Sequence, residues 1–314
     1  KTNNDSTIAS GTFLSIIFFI FANSYIKLFE VYSNRSKGFF LIIATYFIFS
    51  IMELIAKDLG QRYDPLFIVF TRYVSQLIFL ILLFNKDFSK LLKSDMPKLQ
   101  LGRGALLMLT TCCMFAGLAT LPFADHIAIY MIGPILTMIL AIIFLKEKVS
   151  NKQIFLIIIG LVGAIVIANP GSKIFNLYII FPFLAALFFA LFTISTKYLN
   201  KNDKSSTTLI YTAISGSFLA IPFGIYFFEI PSFFDFCLMI LMGVLVTLGH
   251  FFFIKSLIYI NASVASPFVN ITLILAAFWG YVIYNEVPEN STILGSILIV
   301  VSGYYLTRLK NISN

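Results

Sequence analysis

The sequence predicts an all-α, polytopic membrane protein in which ten transmembrane helices form two inverted five-helix repeats. The first observation is composition. The 314 residues are 59% hydrophobic and 11% charged, with a mean hydropathy of +0.94. That balance leaves too little polar surface to cover a water-soluble globule. The second observation is a series of apolar runs of membrane-spanning length, and the third is an internal duplication.

The duplication is visible in two matched stretches, residues 124–148 and 263–287. Each runs from a small-residue entry through a proline-bearing apolar helix to a single glutamate. Four pairs of identical residues recur in chain order at an interval of 139 or 140 positions: Lys57 and Lys197, Gly104 and Gly243, Glu147 and Glu286, and Gly163 and Gly303. The chain is therefore predicted to contain an N-terminal region (1–36), a first repeat (37–170) and a second, inverted repeat (171–310).

Ten apolar runs follow the N-terminal region, each about 20 residues long, which suits a helix crossing ~30 Å of hydrocarbon. The runs are 38–57, 65–85, 102–121, 124–145, 152–169, 177–197, 207–228, 234–255, 263–284 and 290–308. Five precede Pro170 and five follow it. An odd number of spans per unit makes the second copy enter the membrane from the opposite side, which gives inverted repeats.

An extra apolar segment, residues 12–29, precedes the first run and has no counterpart in the second half. It could be an additional spanning helix, an interfacial helix or an uncleaved signal anchor. We favour an additional helix, which would raise the number of spans to eleven.

Lysine and arginine are concentrated in alternate connectors, which predicts the orientation. The connectors after runs two, four and six are rich in lysine, and Arg308 and Lys310 follow run ten, whereas the opposite connectors hold only Lys57, Arg62 and Lys173. The basic side should face the cytoplasm. We therefore expect a multi-pass protein of the cell inner membrane with a cytoplasmic C-terminus.

Several function classes are disfavoured by what the sequence lacks. The basic residues form no face interleaved with aromatics, so a nucleic-acid partner is not expected. Three cysteines without CxxC spacing and two histidines give no metal site, and we expect no cofactor. Neither GxSxG, HExxH nor a P-loop in its required setting occurs, so an enzyme is not expected.

Ionisable groups at membrane depth are costly and are the first candidates for a functional site. Glu53 and Arg72 each lie roughly 7–10 Å below the outer surface, on neighbouring helices. Glu53 could bind a cation or proton, with Arg72 modulating its charge. Alternatively, the two residues form a structural ion pair, with Gln76 completing the network. Both readings stay open from sequence.

His250, inside run eight, could relay a proton or could be a hydrogen-bonded packing residue. Prolines interrupt runs four and nine at Pro134 and Pro267, and interrupted helices at matching places point to a transporter's substrate site. Tyr130 and Asn270 lie close to these breaks and are further candidates. The sequence thus proposes six substrate-binding residues: Glu53, Arg72, Gln76, Tyr130, His250 and Asn270.

Charged residues near the ends of runs favour a structural role. Glu147 and Glu286 are expected to be interfacial anchors at helix C-termini. Lys197 is expected to extend its ammonium to water at the interface.

Five motifs resemble the drug/metabolite transporter superfamily of the EamA type, in particular the bacterial subgroup that includes S-adenosylmethionine and riboflavin transporters. They are FSIMELIAKDLG (49–60), FTRY (70–73), LGRG (101–104), LPFADH (121–126) and FLKEKV (144–149). The resemblance implies ten helices in two inverted repeats, a central cavity and alternating access. The subgroup commonly has an aspartate where this chain has Glu53, so the carboxylate is kept with a longer reach.

These considerations predict a transporter of a small organic metabolite, with a cationic or zwitterionic substrate such as S-adenosylmethionine or an amino acid. Within transporters, a carrier of riboflavin or another metabolite is the alternative. The rival of another class is a non-transporting integral membrane scaffold or enzyme subunit. The expected partners are a small metabolite and the lipid bilayer, and a homodimer is compatible with the sequence.

Overall fold

The computed structural model describes residues 33–121, 123–168, 177–285, 287 and 290–309. The N-terminal segment 12–29 and Glu286 lie outside these residues. Throughout the described part of the chain the regular elements are helices, and none is a strand. The main helices are α1 (Asn34–Leu59), α2 (Pro65–Phe84), α3 (Pro97–Thr120), α4 (Phe123–Tyr130), α5 (Gly133–Leu145), α6 (Asn151–Ala168), α7 (Ile180–Leu199), α8 (Ser205–Tyr226), α9 (Phe233–Tyr259), α10 (Ile271–Tyr284) and α11 (Asn290–Arg308).

Eight helical stretches in the described residues are long and apolar enough to cross a membrane, and two shorter apolar helices accompany them, Gly133–Leu145 and Asn151–Ile167. Large apolar side chains cover the outer faces, as at Phe218 and Ile225, which are 72% and 76% exposed. Lipid is the solvent that such a surface requires. The chain is therefore an integral, polytopic, all-helical membrane protein, and the number of ten spans stays a prediction.

Both predicted interruptions fall where proline enters the chain. The fourth run is divided into α4 and α5, and Pro134 occupies the first turn of α5, where its missing N–H costs nothing. In the ninth run, the short helix Ala262–Ala265 and the 3-10 turn Ser266–Asn270, which contains Pro267, lead into α10. Ser266 Oγ donates to the carbonyl of Pro134 at 3.4 Å, so the two interruptions meet each other.

Local sequence determines where the helices begin. Ser33 and Ser232 accept hydrogen bonds from backbone N–H groups in the first turns of α1 and α9. Asp64 caps α2 in the same way, with Pro65 in the first turn. These caps satisfy N–H groups that have no partner within the helix.

The helix contacts follow the same pattern when the two halves of the chain are interchanged. The contacts of α1 with α9 and of α3 with α7 are among the three most extensive, together with those between α6 and α11. When α1, α2 and α3 are matched with α7, α8 and α9, the α1–α9 contact of one half is equivalent to the α7–α3 contact of the other. The pairs α2–α9 and α8–α3 correspond in the same way, and so do α5–α7 and α10–α1.

The helices α6 and α11 pack along each other at the side of the bundle. A methyl group on Gly163 would lie 2.8 Å from the carbonyl oxygen of Gly295, so the two backbones are in close contact. Small residues allow this approach between helices in a membrane. Among the described residues, these helices form the peripheral pair.

The bundle has two distinguishable ends. The basic end comprises the connectors 85–96, 146–150 and 200–204, and Ser94 donates to Asp203 there at 2.5 Å. The opposite end comprises the connectors 60–64 and 227–232, where Ser232 N donates to Tyr63 Oη at 3.2 Å.

Candidate functional site

Five of the six residues proposed from sequence converge on one interior region. Glu53 comes from α1, Arg72 and Gln76 from α2, Tyr130 from α4 and His250 from α9. We call this region, with Arg103 of α3, the central polar cluster. Asn270 is placed elsewhere.

Glu53 is exposed although it lies well inside the length of α1. It is within electrostatic reach of Arg72, Tyr130 and Tyr46. Among the described side chains no ion pair of 4.0 Å or less joins Glu53 to Arg72. A carboxylate that is accessible and not closely paired at this depth suits a binding group better than a tight structural clamp.

Arg72 and Gln76 lie one helical turn apart on the same face of α2. The Arg72 guanidinium lies 4.6 Å over the ring of Tyr73, and its Nε and Nη2 are buried without a hydrogen-bond partner in the described residues. Gln76 is fully buried, and neither atom of its side-chain amide has a partner there. The close approach of Gly243 to the backbone of Gln76 explains this burial. Polar groups in this state usually mark an unfinished network.

His250 is 5% exposed and packs between aromatic rings of two other helices. Its ring centroid lies 5.0 Å from that of Phe49 and 6.3 Å from that of Phe192. Nδ1 has no partner among the described residues, and both Arg72 and Arg103 are within electrostatic reach. His250 therefore joins α9 to the arginines of α2 and α3.

Arg103 is the main residue that the sequence analysis missed, because it was assigned to the connector before the third run. The structure places it within α3, fully buried. It donates from Nε to Thr196 Oγ1 at 2.6 Å, from Nη1 to the carbonyl of Thr208 at 3.2 Å, and to Thr212 Oγ1. Its guanidinium also lies 4.2 Å over the ring of Phe192. Arg103 is thus a buried cation held by hydroxyl, carbonyl and aromatic groups.

The two candidates near the helix interruptions separate. Tyr130 is half-buried and within electrostatic reach of Glu53, so it belongs to the central polar cluster. Asn270 is 1% exposed and packs beside Gly160 of α6, next to Ser302 of α11. Its place is against the peripheral helix pair, and its Oδ1 has no partner among the described residues.

At the basic end, two charged residues bind backbone groups of the segment between α9 and α10. Glu147 accepts from Ala262 N at 2.9 Å, from Ser263 N at 3.1 Å and from Ser263 Oγ at 2.6 Å. Lys197 Nζ donates to the carbonyls of Leu257 and Ile260 at 2.6 and 2.8 Å. We call these two side chains and the segment 257–263 the basic-end latch.

The latch corrects two expectations. Glu147 was expected to be an interfacial anchor, but it is 6% exposed and saturated with donors. Lys197 was expected to reach water, but its ammonium is bonded to two carbonyls that the end of α9 leaves without intrahelical partners. The prediction for Glu286 lies outside the described residues.

A second polar network closes the opposite end around Asp235, which is 5% exposed. Asp235 accepts from Arg62 Nη2 and Tyr63 Oη, each at 2.9 Å, and from Ser232 Oγ at 2.8 Å. Arg62 also donates to Asp58 at 2.7 Å. The hydrogen bond to Asp58, and then that to Asp235, raise the pKa of the Arg62 guanidinium. This network ties the α1–α2 connector to the start of α9.

The chemistry available in the central polar cluster is that of binding. It offers one carboxylate, two guanidinium groups, an amide and an imidazole, lined by aromatic rings. No group of three or more metal-ligating side chains occurs among the described residues.

Comparison with known proteins agrees with this architecture. The profile of the EamA-like transporter family matches residues 36–169 and again residues 176–308. A crystal structure of a protein superposes with a TM-score of 0.75 at 13% identity, covering 87% of this chain and 98% of that one. At that identity the likeness shows a common fold.

Three curated relatives are transporters of different compounds. The S-adenosylmethionine uptake transporter of Rickettsia prowazekii (strain Madrid E) is 26% identical over 277 residues, covering 88% of this chain and 93% of the relative. The pseudopaline exporter CntI of Pseudomonas aeruginosa (strain UCBPP-PA14) is 26% identical over 276 residues, covering 87% and 97%. The riboflavin transporter of Brucella anthropi is 24% identical over 247 residues, covering 77% and 87%.

Proposed function

Because this chain belongs to the EamA-like transporter family, we propose that it is a carrier of a small metabolite in a bacterial inner membrane. It works by alternating access between two inverted repeats, and its substrate carries a positive centre. The observation that carries the proposal is Glu53, an exposed carboxylate in the interior of the bundle that has no closely paired cation in the described part of the chain.

The substrate class follows from that carboxylate. A charge at this depth is costly, and a substrate with an ammonium or sulfonium group offsets the cost when it binds. S-adenosylmethionine and amino acids have such a centre, and a relative named for S-adenosylmethionine uptake supports this choice. Relatives named for uptake and for export both match this chain, so the direction of transport is left to experiment.

Three lines of support favour the inverted repeats. The matched residues recur at an interval of 139 or 140 positions, and an odd number of spans per unit inverts the second copy. The helix packing pairs α1 with α9 as it pairs α7 with α3, as a two-fold exchange of the halves requires. The family profile also matches twice, once in each half.

The basic end is assigned to the cytoplasm by its lysines, together with the C-terminus. The basic-end latch then holds the cytoplasmic side closed, while Glu53 is accessible. We assign the structure to an outward-facing state, in which Glu53 is accessible from outside. Access to the site from the cytoplasm requires the latch to open.

A second candidate is a riboflavin carrier, which the Brucella anthropi relative favours. The uncharged ring system of a flavin would stack on the aromatic side chains Phe49 and Phe192 around His250. Its binding would depend less on the charge of Glu53. The two candidates therefore differ in their dependence on this carboxylate.

The test is a binding screen followed by uptake into proteoliposomes. The purified protein is heated with amino acids, S-adenosylmethionine, polyamines, flavins and nucleotides. A ligand at a hundred times its dissociation constant adds ~2.7 kcal/mol of stability. Glu53→Gln is compared with Glu229→Gln, the same change at an exposed residue of the opposite end.

We expect a cationic or zwitterionic compound to bind and to be taken up. Glu53→Gln should abolish its binding and uptake, and Glu229→Gln should not. A flavin hit insensitive to Glu53→Gln supports the second candidate. If nothing on the panel binds or is taken up, the proposal of a metabolite carrier with this substrate range is wrong.

A further inference from the structure

We infer that Arg72 and Gln76, together with His250, form an anion-binding subsite that takes the carboxylate of a zwitterionic substrate while Glu53 takes its positive centre. The inference rests on the proposed carrier function and names the head group that the same site recognises. It predicts a substrate with an α-amino acid group, or one in which an amine and a carboxylate are comparably close.

The charges of the central polar cluster are unequal. Two guanidinium groups, those of Arg72 and Arg103, accompany a single carboxylate, that of Glu53. The two carboxylates that are buried in the described chain are engaged elsewhere, Glu147 in the basic-end latch and Asp235 at the opposite end. The interior therefore carries an excess of positive charge, which favours an anionic group on the ligand.

Arg103 supplies this excess from a fixed position. Its Nε and Nη1 are committed to Thr196, Thr208 and Thr212, its Nη2 is buried without a partner among the described residues, and the ring of Phe192 covers its face. Neutral partners hold the cation in place but leave its charge uncancelled. Arg103 is thus a positioning residue that makes the region positive.

Arg72 and Gln76 supply the donors. The Arg72 guanidinium is part-exposed and presents a planar fork of N–H groups, the geometry that matches the two oxygens of a carboxylate. The Gln76 amide lies one turn deeper, fully buried, with both polar atoms lacking a partner in the described residues. A buried polar group without a partner destabilises a protein, and a ligand oxygen would remove that penalty.

His250 completes the pocket from α9, with Nδ1 lacking a partner and Arg72 within electrostatic reach. Glu53 lies across a gap from Arg72 that exceeds ion-pair distance. A single head group that carries opposite charges a few bonds apart can fill this gap and satisfy both residues. A simple cation or a simple anion would leave one of them unpaired.

The experiment compares ligand pairs that differ only in the carboxylate. Binding of S-adenosylmethionine and its decarboxylated analogue is measured by calorimetry in detergent, and each amino-acid hit is paired with its decarboxylated amine. Wild-type protein should bind the carboxylated member about ten- to a hundred-fold more tightly, as charge-assisted pairing of a carboxylate implies. Arg72→Gln should bring that ratio close to one.

Three further variants make the result specific. Arg72→Lys keeps the charge but not the fork, and should retain only part of the discrimination. Arg308→Gln, at an exposed arginine near the end of α11, should leave it unchanged. Glu53→Gln should weaken binding of both members of a pair and keep their ratio.

If wild-type protein binds both members equally, or if Arg72→Gln preserves the ratio, the subsite is refuted while the carrier proposal stands. The ligand-pair comparison on wild-type protein keeps the test valid even where a variant fails to fold. If no zwitterion is bound or taken up, the proposed substrate class fails and the inference fails with it.

Discussion

Replacing Glu147 with glutamine should open the basic end of the bundle. The carboxylate is almost fully buried and accepts hydrogen bonds from two backbone N–H groups and one hydroxyl group of Ala262 and Ser263. Glutamine keeps one acceptor oxygen, but its amide nitrogen replaces the other oxygen and directs N–H groups toward a backbone N–H that needs an acceptor. At least one bond to a charged acceptor is lost, and one buried N–H is left without a partner.

The magnitude follows from those two losses. A hydrogen bond to a charged group contributes about 1.5–3 kcal/mol, and an unsatisfied buried donor costs about 1–3 kcal/mol. Partial relaxation reduces the sum, so we expect the closed state to lose about 2–4 kcal/mol, since breaking a buried charged network costs about 3–5 kcal/mol. Because ~1.4 kcal/mol is a tenfold change, the open population should rise roughly 30- to 700-fold.

Hydrogen exchange measured by mass spectrometry reports this change directly. In lipid nanodiscs, peptides covering residues 257–268 should exchange faster in Glu147→Gln by a factor within that range. Peptides from α6 and α11 should exchange at the wild-type rate. Glu229→Gln, the same substitution at an exposed position of the opposite end, should have no effect on 257–268. An unchanged rate in Glu147→Gln would refute the argument that this carboxylate holds the basic end closed.

Two stability predictions concern other parts of the bundle. Gly163→Ala places a methyl group against the carbonyl of Gly295 and should destabilise the α6–α11 contact by about 1–3 kcal/mol. Gly303→Ala, which meets open space on α11, should leave thermal unfolding unchanged, and equal melting curves for the two variants would contradict the close contact. Asp235→Asn removes the acceptor shared by Arg62, Tyr63 and Ser232 and should lower the apparent Tm by a few degrees. Asp87→Asn loses only the exposed contact with Lys90 and should leave the apparent Tm unchanged. A similar fall in Tm in both variants would show that the Asp235 network does not stabilise the bundle more than a surface ion pair does.

The helices and their interruptions were predictable because their causes are local. Apolar length identifies a span, and a proline such as Pro134 identifies a break, without knowledge of neighbouring helices. Glu53 and Arg72 could also be identified in this way, because a charged residue inside an apolar run is recognisable from the sequence alone.

The rest depends on partners that are distant in sequence. Arg103 lies only a few residues from the connector, and nothing local distinguishes it from an interfacial arginine. Its hydroxyl and carbonyl partners, Thr196, Thr208 and Thr212, come from the second half of the chain. Glu147 is similar, because the backbone groups of Ala262 and Ser263 that bury it belong to the other repeat. Asn270 was grouped with the other candidates on its proximity to Pro267 along the chain, and its contacts with Gly160 and the peripheral helix pair could not be seen from sequence.

The duplication treats the latch residues and the proposed substrate-binding residues differently. The latch residues Glu147 and Lys197 have identical counterparts at the matched interval, Glu286 and Lys57. A device that must act once at each side of the membrane is expected to occur in both halves.

The central polar cluster does not follow this rule. At the same interval, Glu53 corresponds to Thr193, Arg72 to Thr212 and Arg103 to Met242. Each charge in the cluster therefore occurs in one half only. A substrate with distinct positive and negative groups has no two-fold symmetry, so the residues that bind it have no reason to be duplicated. The asymmetry of the cluster within a duplicated chain is what a zwitterion-binding site between two alternating halves requires.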